Sequence, residues 1–166
     1  MAVDLTSILG SLENLLHKNN TVSSSSDISN SLNKRVQVFY KGSRGMSNKQ
    51  PVPKTLYPCV FVELGNKTEE FITVGNNAKR DMNIEFDIVP VVDYGIGTFD
   101  SRENSDIELI KLSQNIESLI RANITLSSTV HQALIINSTY DVELKADDTY
   151  ISVSRITLLT KLYNQR

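Results

Sequence analysis

Residues Met82 to Ile88, MNIEFDI, alternate strictly between apolar and polar side chains. A two-residue side-chain period belongs to a β-strand, so this stretch predicts a strand with Met82, Ile84, Phe86 and Ile88 on one buried face. Such a strand needs company. A lone ribbon is marginal in water, and its apolar face must be covered by further secondary structure. The other face carries Asn83, Glu85 and Asp87, two carboxylates side by side. Pro90, just beyond, has no N–H for a ladder and is expected at an edge position or at the strand's end.

Two amphipathic helices can supply the cover. Leu5, Ile8, Leu9, Leu12, Leu15 and Leu16 fall within about 120° of arc at 100° per residue, with Asp4 as an N-cap oxygen, which predicts a helix over 4–18. Leu109, Leu112, Ile116, Leu119 and Ile120 occupy about 100°, and Ser105 with Glu108 forms a capping box, which predicts a second helix over 105–122. Ile107 and Ile110 project from the opposite side of that helix. They pack either on another part of the chain or on another subunit.

Between the helices, VQVFY (36–40), CVFVEL (59–64), FITV (71–74) and the strand from Met82 read as about four strands. The polar stretch from Asn19 to Ser31 connects the first helix to them. HQALIINSTYDVELKA and TYISVSRITLLTKLY, joined at Asp147 and Asp148, read as a closing hairpin. In the last strand Ile151 and Val153 share one face while Ile156, Leu158 and Leu162 share the other, so a bulge near Ser154 and Arg155 is expected. The expected fold class is α+β, a mainly antiparallel sheet with helices packed on one face.

At 166 residues and 40% hydrophobic content, the chain fits one domain that buries about two-thirds of its unfolded surface. No apolar run approaches the roughly 20 residues that cross a bilayer, and the N-terminus has no basic segment followed by an apolar one, so a soluble, unsecreted protein without membrane contact is expected. Cys59 is the sole cysteine, which excludes an internal disulfide and a thiolate metal cluster within one chain.

Chemistry-bearing motifs are sparse. His17 and His131 have no partner at metal-ligand spacing. YGIGTFD has Gly95 and Gly97 but Asp100 in the third position of a dinucleotide fingerprint. No serine sits in a Gly-x-Ser-x-Gly elbow. Glu85 and Asp87, about 6.6 Å apart along a strand, would suit paired-carboxylate hydrolysis, but no tryptophan supplies a sugar platform. The expectation is a protein that is not an enzyme, with no catalytic residues, cofactor or metal.

Charge is unevenly spread. Between Asp27 and Glu63 there is no acidic residue, while Lys34, Arg35, Lys41, Arg44, Lys49 and Lys54 all fall there; the other 11 basic residues stand against 19 acidic ones, a net of −8. A chain so divided can meet copies of itself, or a charged partner, through complementary patches; otherwise the segment is a solvated loop on an acidic domain. The 18 residues from Lys41 to Pro58 are too many for a tight hairpin turn and predict a flexible basic loop. With Tyr40 and Tyr57 at its ends it could touch phosphates, but the acidic whole argues against specific nucleic-acid binding.

Taken in order, the N-terminal helix, a strand, the long basic loop, YPCVFVELG, RDMNIEFDIVPVV, ENSDIELIKLSQNIESLIRAN and TYISVSRITLLTKLY resemble the small tail-terminator or tail-completion proteins of long-tailed bacteriophages, over about residues 5–163. The resemblance implies a single tail-terminator-like domain over 1–166 that forms a homo-oligomeric, typically hexameric, ring on the head-proximal end of the tail tube. Such a ring is assembled in the host cytoplasm, stops tube polymerisation and offers the docking surface for the head-completion or connector protein; DNA passes through without specific binding. The alternatives are a tail-tube or head-completion protein, or a small soluble α+β enzyme or binding module. Within the ring, Ile107 and Ile110 are the expected subunit contact. Glu85 and Asp87 are expected to line the channel, unless that face is wet outer surface. Lys41, Arg44, Lys49 and Lys54 are expected to reach an acidic neighbour or the connector.

Overall fold

Asp4 starts the first helix. Its Oδ1 accepts from the Thr6 backbone N–H at 3.0 Å, and its two oxygens accept from the Thr6 and Ser7 hydroxyls at 2.5 and 2.6 Å, so α1 (Leu5–Asn20) begins one residue later. The computed structural model describes residues 4–20, 37–43, 58–71, 79–94, 102–144 and 150–165. These residues form α1, β1 (Gln37–Ser43), β2 (Cys59–Phe71), β3 (Lys79–Tyr94), α2 (Arg102–Ala122), β4 (Gln132–Leu144) and β5 (Tyr150–Gln165), an α+β fold.

The five strands make one sheet in the order β1-β2-β3-β5-β4. β1 runs parallel to β2, and every other neighbour is antiparallel. The helices cover one face. Ile8, Leu12 and Leu16 of α1 and Leu109, Leu112, Ile116, Leu119 and Ile120 of α2 close over Val60, Val62, Met82, Ile84, Phe86, Ile88, Ile156 and Leu158, all buried. α1 lies by β1, and α2 crosses β3, β5 and β4.

Several local expectations are corrected. Among the described residues, three strands lie between the helices. Phe71 ends β2, which runs past Leu64 through an irregularity before Lys67; the rest of FITV lies outside the described residues. Pro90 is neither at an edge nor at an end. It sits inside the central strand β3, opposite Val60, and the β3–β5 ladder skips two positions there, between Ile88↔Ile156 and Val91↔Val153. Ser105 does not cap α2, which starts at Arg102, and the Glu108 carboxylate instead accepts from Lys111 Nζ at 2.7 Å.

The expected bulge in β5 is also absent. β5 keeps one register along β3 from Tyr150 to Gln165, and the irregularity falls on edge strand β4 between Ile135 and Asn137. Ile151 and Ile156 occupy opposite faces because β5 is central and buried on both. Cys59, Phe61, Val89, Val91 and Ile151 form a second buried cluster on the face away from the helices.

The α2–β4 connection carries left-handed backbone at Leu126, Ser127 and Ser128 (φ 43°, 59° and 69°). That conformation costs a non-glycine residue about 1–2 kcal/mol. The turn is held by Leu126, buried in the helix-side core, and by the Ala133 amide donating to Ile124 O at 2.7 Å.

Two outcomes test the description of α1. Gly10 lies in mid-helix with nothing within 4 Å of where a Cβ would sit. Gly10→Ala therefore raises stability in urea titrations by about 0.5–1 kcal/mol. Hydrogen bonds from Ser7, then Thr6, lower the Asp4 carboxyl from 3.8 to about 2. A depressed folded pKa contributes stability that is present above pH about 4 and lost as pH falls through about 2. An NMR titration of Asp4 should have its midpoint near 2, and Asp4→Ala should remove that part of the acid sensitivity.

Candidate assembly surface

Packing of α2 settles the direction of Ile107 and Ile110. The arc from Leu109 to Ile120 is spent on the core, so the two isoleucines are turned outward and remain 41% and 43% exposed. Among the described residues, neither belongs to the buried core. Around them are Lys111, bound to Glu108, and further along the helix Arg121, whose Nη2 donates to Glu117 at 2.7 Å. An apolar end on an otherwise polar helix face thus stands open to solvent.

The acidic strand face is built differently from the expectation. Glu63 on β2, Asp87 on β3 and Thr157 on β5 stand in one row across the sheet, on the face away from the helices. Arg155, two residues along β5, reaches into the row, and its Nη1 donates to Asp87 Oδ2 at 2.6 Å and to Glu63 Oε2 at 3.2 Å. Thr157 Oγ1 donates to Asp87 Oδ1 at 2.9 Å. Asp87 is fully buried and Glu63 nearly so, while the Arg155 side chain is 38% exposed. Asp87 is therefore corrected as a channel-lining residue: its charge is spent on Arg155 and Thr157 rather than offered to a passing polyanion. Glu85 does reach the half-buried part of that face, where Asn66 Nδ2 donates to it at 3.3 Å.

The basic segment is only partly described. Lys41 lies within β1 rather than in the loop expected from 41 to 58, and Arg44, Lys49 and Lys54 fall outside the described residues. Other charges gather where β2 and β3 extend past the core. Lys67 pairs with Glu69, with Arg80 at 3.5 Å behind it, and the hydrogen bond from Lys67 lowers the Glu69 carboxyl below its usual value. Among the described residues no group of three His, Cys, Asp or Glu is placed to hold a metal ion. His131 is exposed at the start of β4, its ring tilted against Tyr163 with centroids 4.9 Å apart. No described helix is long and apolar enough to cross a membrane.

The Glu63–Asp87–Arg155 cluster was missed from sequence. A signal for it does exist: Glu63 closes the apolar run CVFV, and Arg155 interrupts YISVSRITLL, each a lone charge in a strand otherwise fit for burial. Two carboxylates sharing one guanidinium tie three strands together but bring no nucleophile or labile proton donor to an open cleft. The arrangement suits holding a sheet in register.

No family model matches the chain, and no curated protein matches it. Among solved structures it is similar to a chain described as "Virion of native gene transfer agent (GTA) particle", with TM-score 0.33 and 10% identity over 95% of this chain and 98% of that one. At that TM-score the likeness fixes neither fold nor function.

The cluster makes its own prediction. Arg155→Met removes the guanidinium from two buried carboxylates and should cost about 2–3 kcal/mol in urea unfolding, less than breaking a fully buried ion pair costs because Arg155 is partly exposed. Adding Glu63→Gln and Asp87→Asn should return most of that loss. A single variant as stable as the parent would mean that the cluster holds nothing together.

Proposed function

We propose that this chain is a structural protein of a phage-like virion, one that forms a ring on the head-proximal end of a tail tube, stops the tube's growth and presents the surface on which the head connector docks. The observation that carries the reading is the exposed pair Ile107 and Ile110. They stand on a helix whose other face is committed to the core, and their exposed apolar surface is suited to another subunit. The order of elements in the sequence, which resembles that of tail-terminator proteins, supplies the context.

Ring formation has clear physical demands. A head-to-tail contact that closes by rotation gives a ring, and a cap must match the tube on one side only. Each contact between neighbours buries on the order of 1,000 Å² or more. The partners are other copies of the chain, the tube protein below and the connector above, and the basic residues Lys41, Arg44, Lys49 and Lys54 suit an acidic partner surface. If the Glu85 side of the sheet faces the channel, repeated copies of that carboxylate repel DNA from the wall and let it slide.

Sedimentation velocity and negative-stain microscopy of the purified protein test the reading. Rings are expected for the parent chain and a folded monomer for Ile107→Asp with Ile110→Asp. Long tubes would instead identify a tube protein. A parent chain that stays monomeric at high concentration, with or without tube protein, would overturn the ring.

A further inference from the structure

The sheet has two ends, and they differ in charge. β4 forms one edge, 13 residues long, and among the described residues it pairs only with β5. β1 forms the other, 7 residues long, and among the described residues it pairs only with β2. An uncovered edge presents a row of backbone donors and acceptors that only another extended strand can satisfy in full. Natural edges are usually blunted by lysine or proline, yet β4, QALIINSTYDVEL, contains no lysine, arginine or proline. Its one blunting device is the irregularity at Ile136, after which Asn137 to Leu144 pair regularly with β5. Ile136 and Tyr140 on this strand are 51% and 50% exposed.

Charge points to the occupant. The charged residues of β4 are Asp141 and Glu143, both acidic, whereas β1 carries Lys41 and lies within the 28–62 stretch that has six basic residues and no acidic one. Strand direction agrees. β1 runs with β2, β3 against it, β5 against β3 and β4 against β5, so β4 and β1 of one sheet run in opposite directions. When a second copy continues the sheet in the same orientation, its β1 meets β4 antiparallel, the more stable ladder.

We infer that β4 of one copy pairs antiparallel with β1 of the next, so that the five-stranded sheets join edge to edge. The contact uses different surfaces on the two copies and leaves both edges of a dimer still open, which is what a closing ring requires. The same operation continues the helical layer, bringing α2 with Ile107 and Ile110 toward the α1 side of the neighbour. The inference rests on the ring-forming reading and adds to it which strands make the seam.

Complementation between edge-blocked variants tests it. Asn137→Lys with Asp141→Lys blocks the β4 edge, and Gln37→Glu with Lys41→Glu blocks the β1 edge. Each variant alone should sediment as a monomer, and a 1:1 mixture should give a dimer and nothing larger, because one sound β4 meets one sound β1. Rings that persist in both variants would overturn the seam while leaving the ring intact; a β1-blocked variant that dimerises alone would replace it with a β4–β4 contact. A parent chain without rings would remove the ring reading itself. Should a variant fail to fold, hydrogen exchange on the parent decides. Amides of β4 and β1 should exchange at least tenfold more slowly in rings than in dilute monomer, and equal rates in the two states would overturn the inference.

Discussion

The β3–β5 ladder carries the molecule. It runs from Lys79↔Gln165 to Tyr94↔Tyr150 in a single register, and both strands are buried on both faces through their central parts. On one face it presents Ile84, Phe86, Ile88, Ile156 and Leu158 to the helices, and on the other it presents Val89, Val91 and Ile151 to a second cluster. β2 and β4 are placed by pairing with its two sides, and α2 by packing across it. Such a central pair tolerates little local error, because a slip of one residue would exchange the two faces along its whole length.

That constraint explains the buried charges. Asp87 lies on the face away from the helices, opposite Glu63 and Thr157, and Arg155 reaches all the way across to both carboxylates. In a slipped register Asp87 would enter the aliphatic core without its cation. Buried ion pairs gain little over apolar packing of the same volume, and their best-attested use is to choose one arrangement among several. The cluster ties β2, β3 and β5 together at the place where the apolar half of this face gives way to the polar half. Pro90 interrupts the ladder a few residues away, where it cannot donate, so side-chain bonds supply part of the fixing that backbone bonds omit.

Outside the core and the charged cluster, the described surface carries an apolar end on α2, two strand edges of opposite charge, and a half-buried Glu85. In the proposed ring, like copies use the isoleucines through apolar burial and the edges through backbone bonds and steering charge. The same rigidity that suits a particle component follows from the double-sided burial of β3 and β5, since strands packed on both faces have little freedom to move.

Both helices were legible in the sequence because a 100° period over 16 or more residues has one solution: Leu12 and Leu112 are buried where the arcs put them, and Ile107 and Ile110 stand outside as the same wheel requires. The alternation at Met82 to Ile88 likewise determined a strand, and Asp4 determined where α1 begins. What alternation cannot encode is the number of neighbours a strand will have. A single apolar face suffices for an edge or one-sided strand, whereas β3 and β5 are central, so local pattern alone puts Pro90 at an edge or a strand's end, a bulge between Ile151 and Ile156, and Asp87 in the open. Those outcomes were decided by tertiary structure, since burial of a polar face depends on partners that lie 24 to 92 residues away along the chain, as Glu63 and Arg155 do from Asp87 and from each other. Periodicity is a local property of the chain; which face is wet is a property of the assembled sheet.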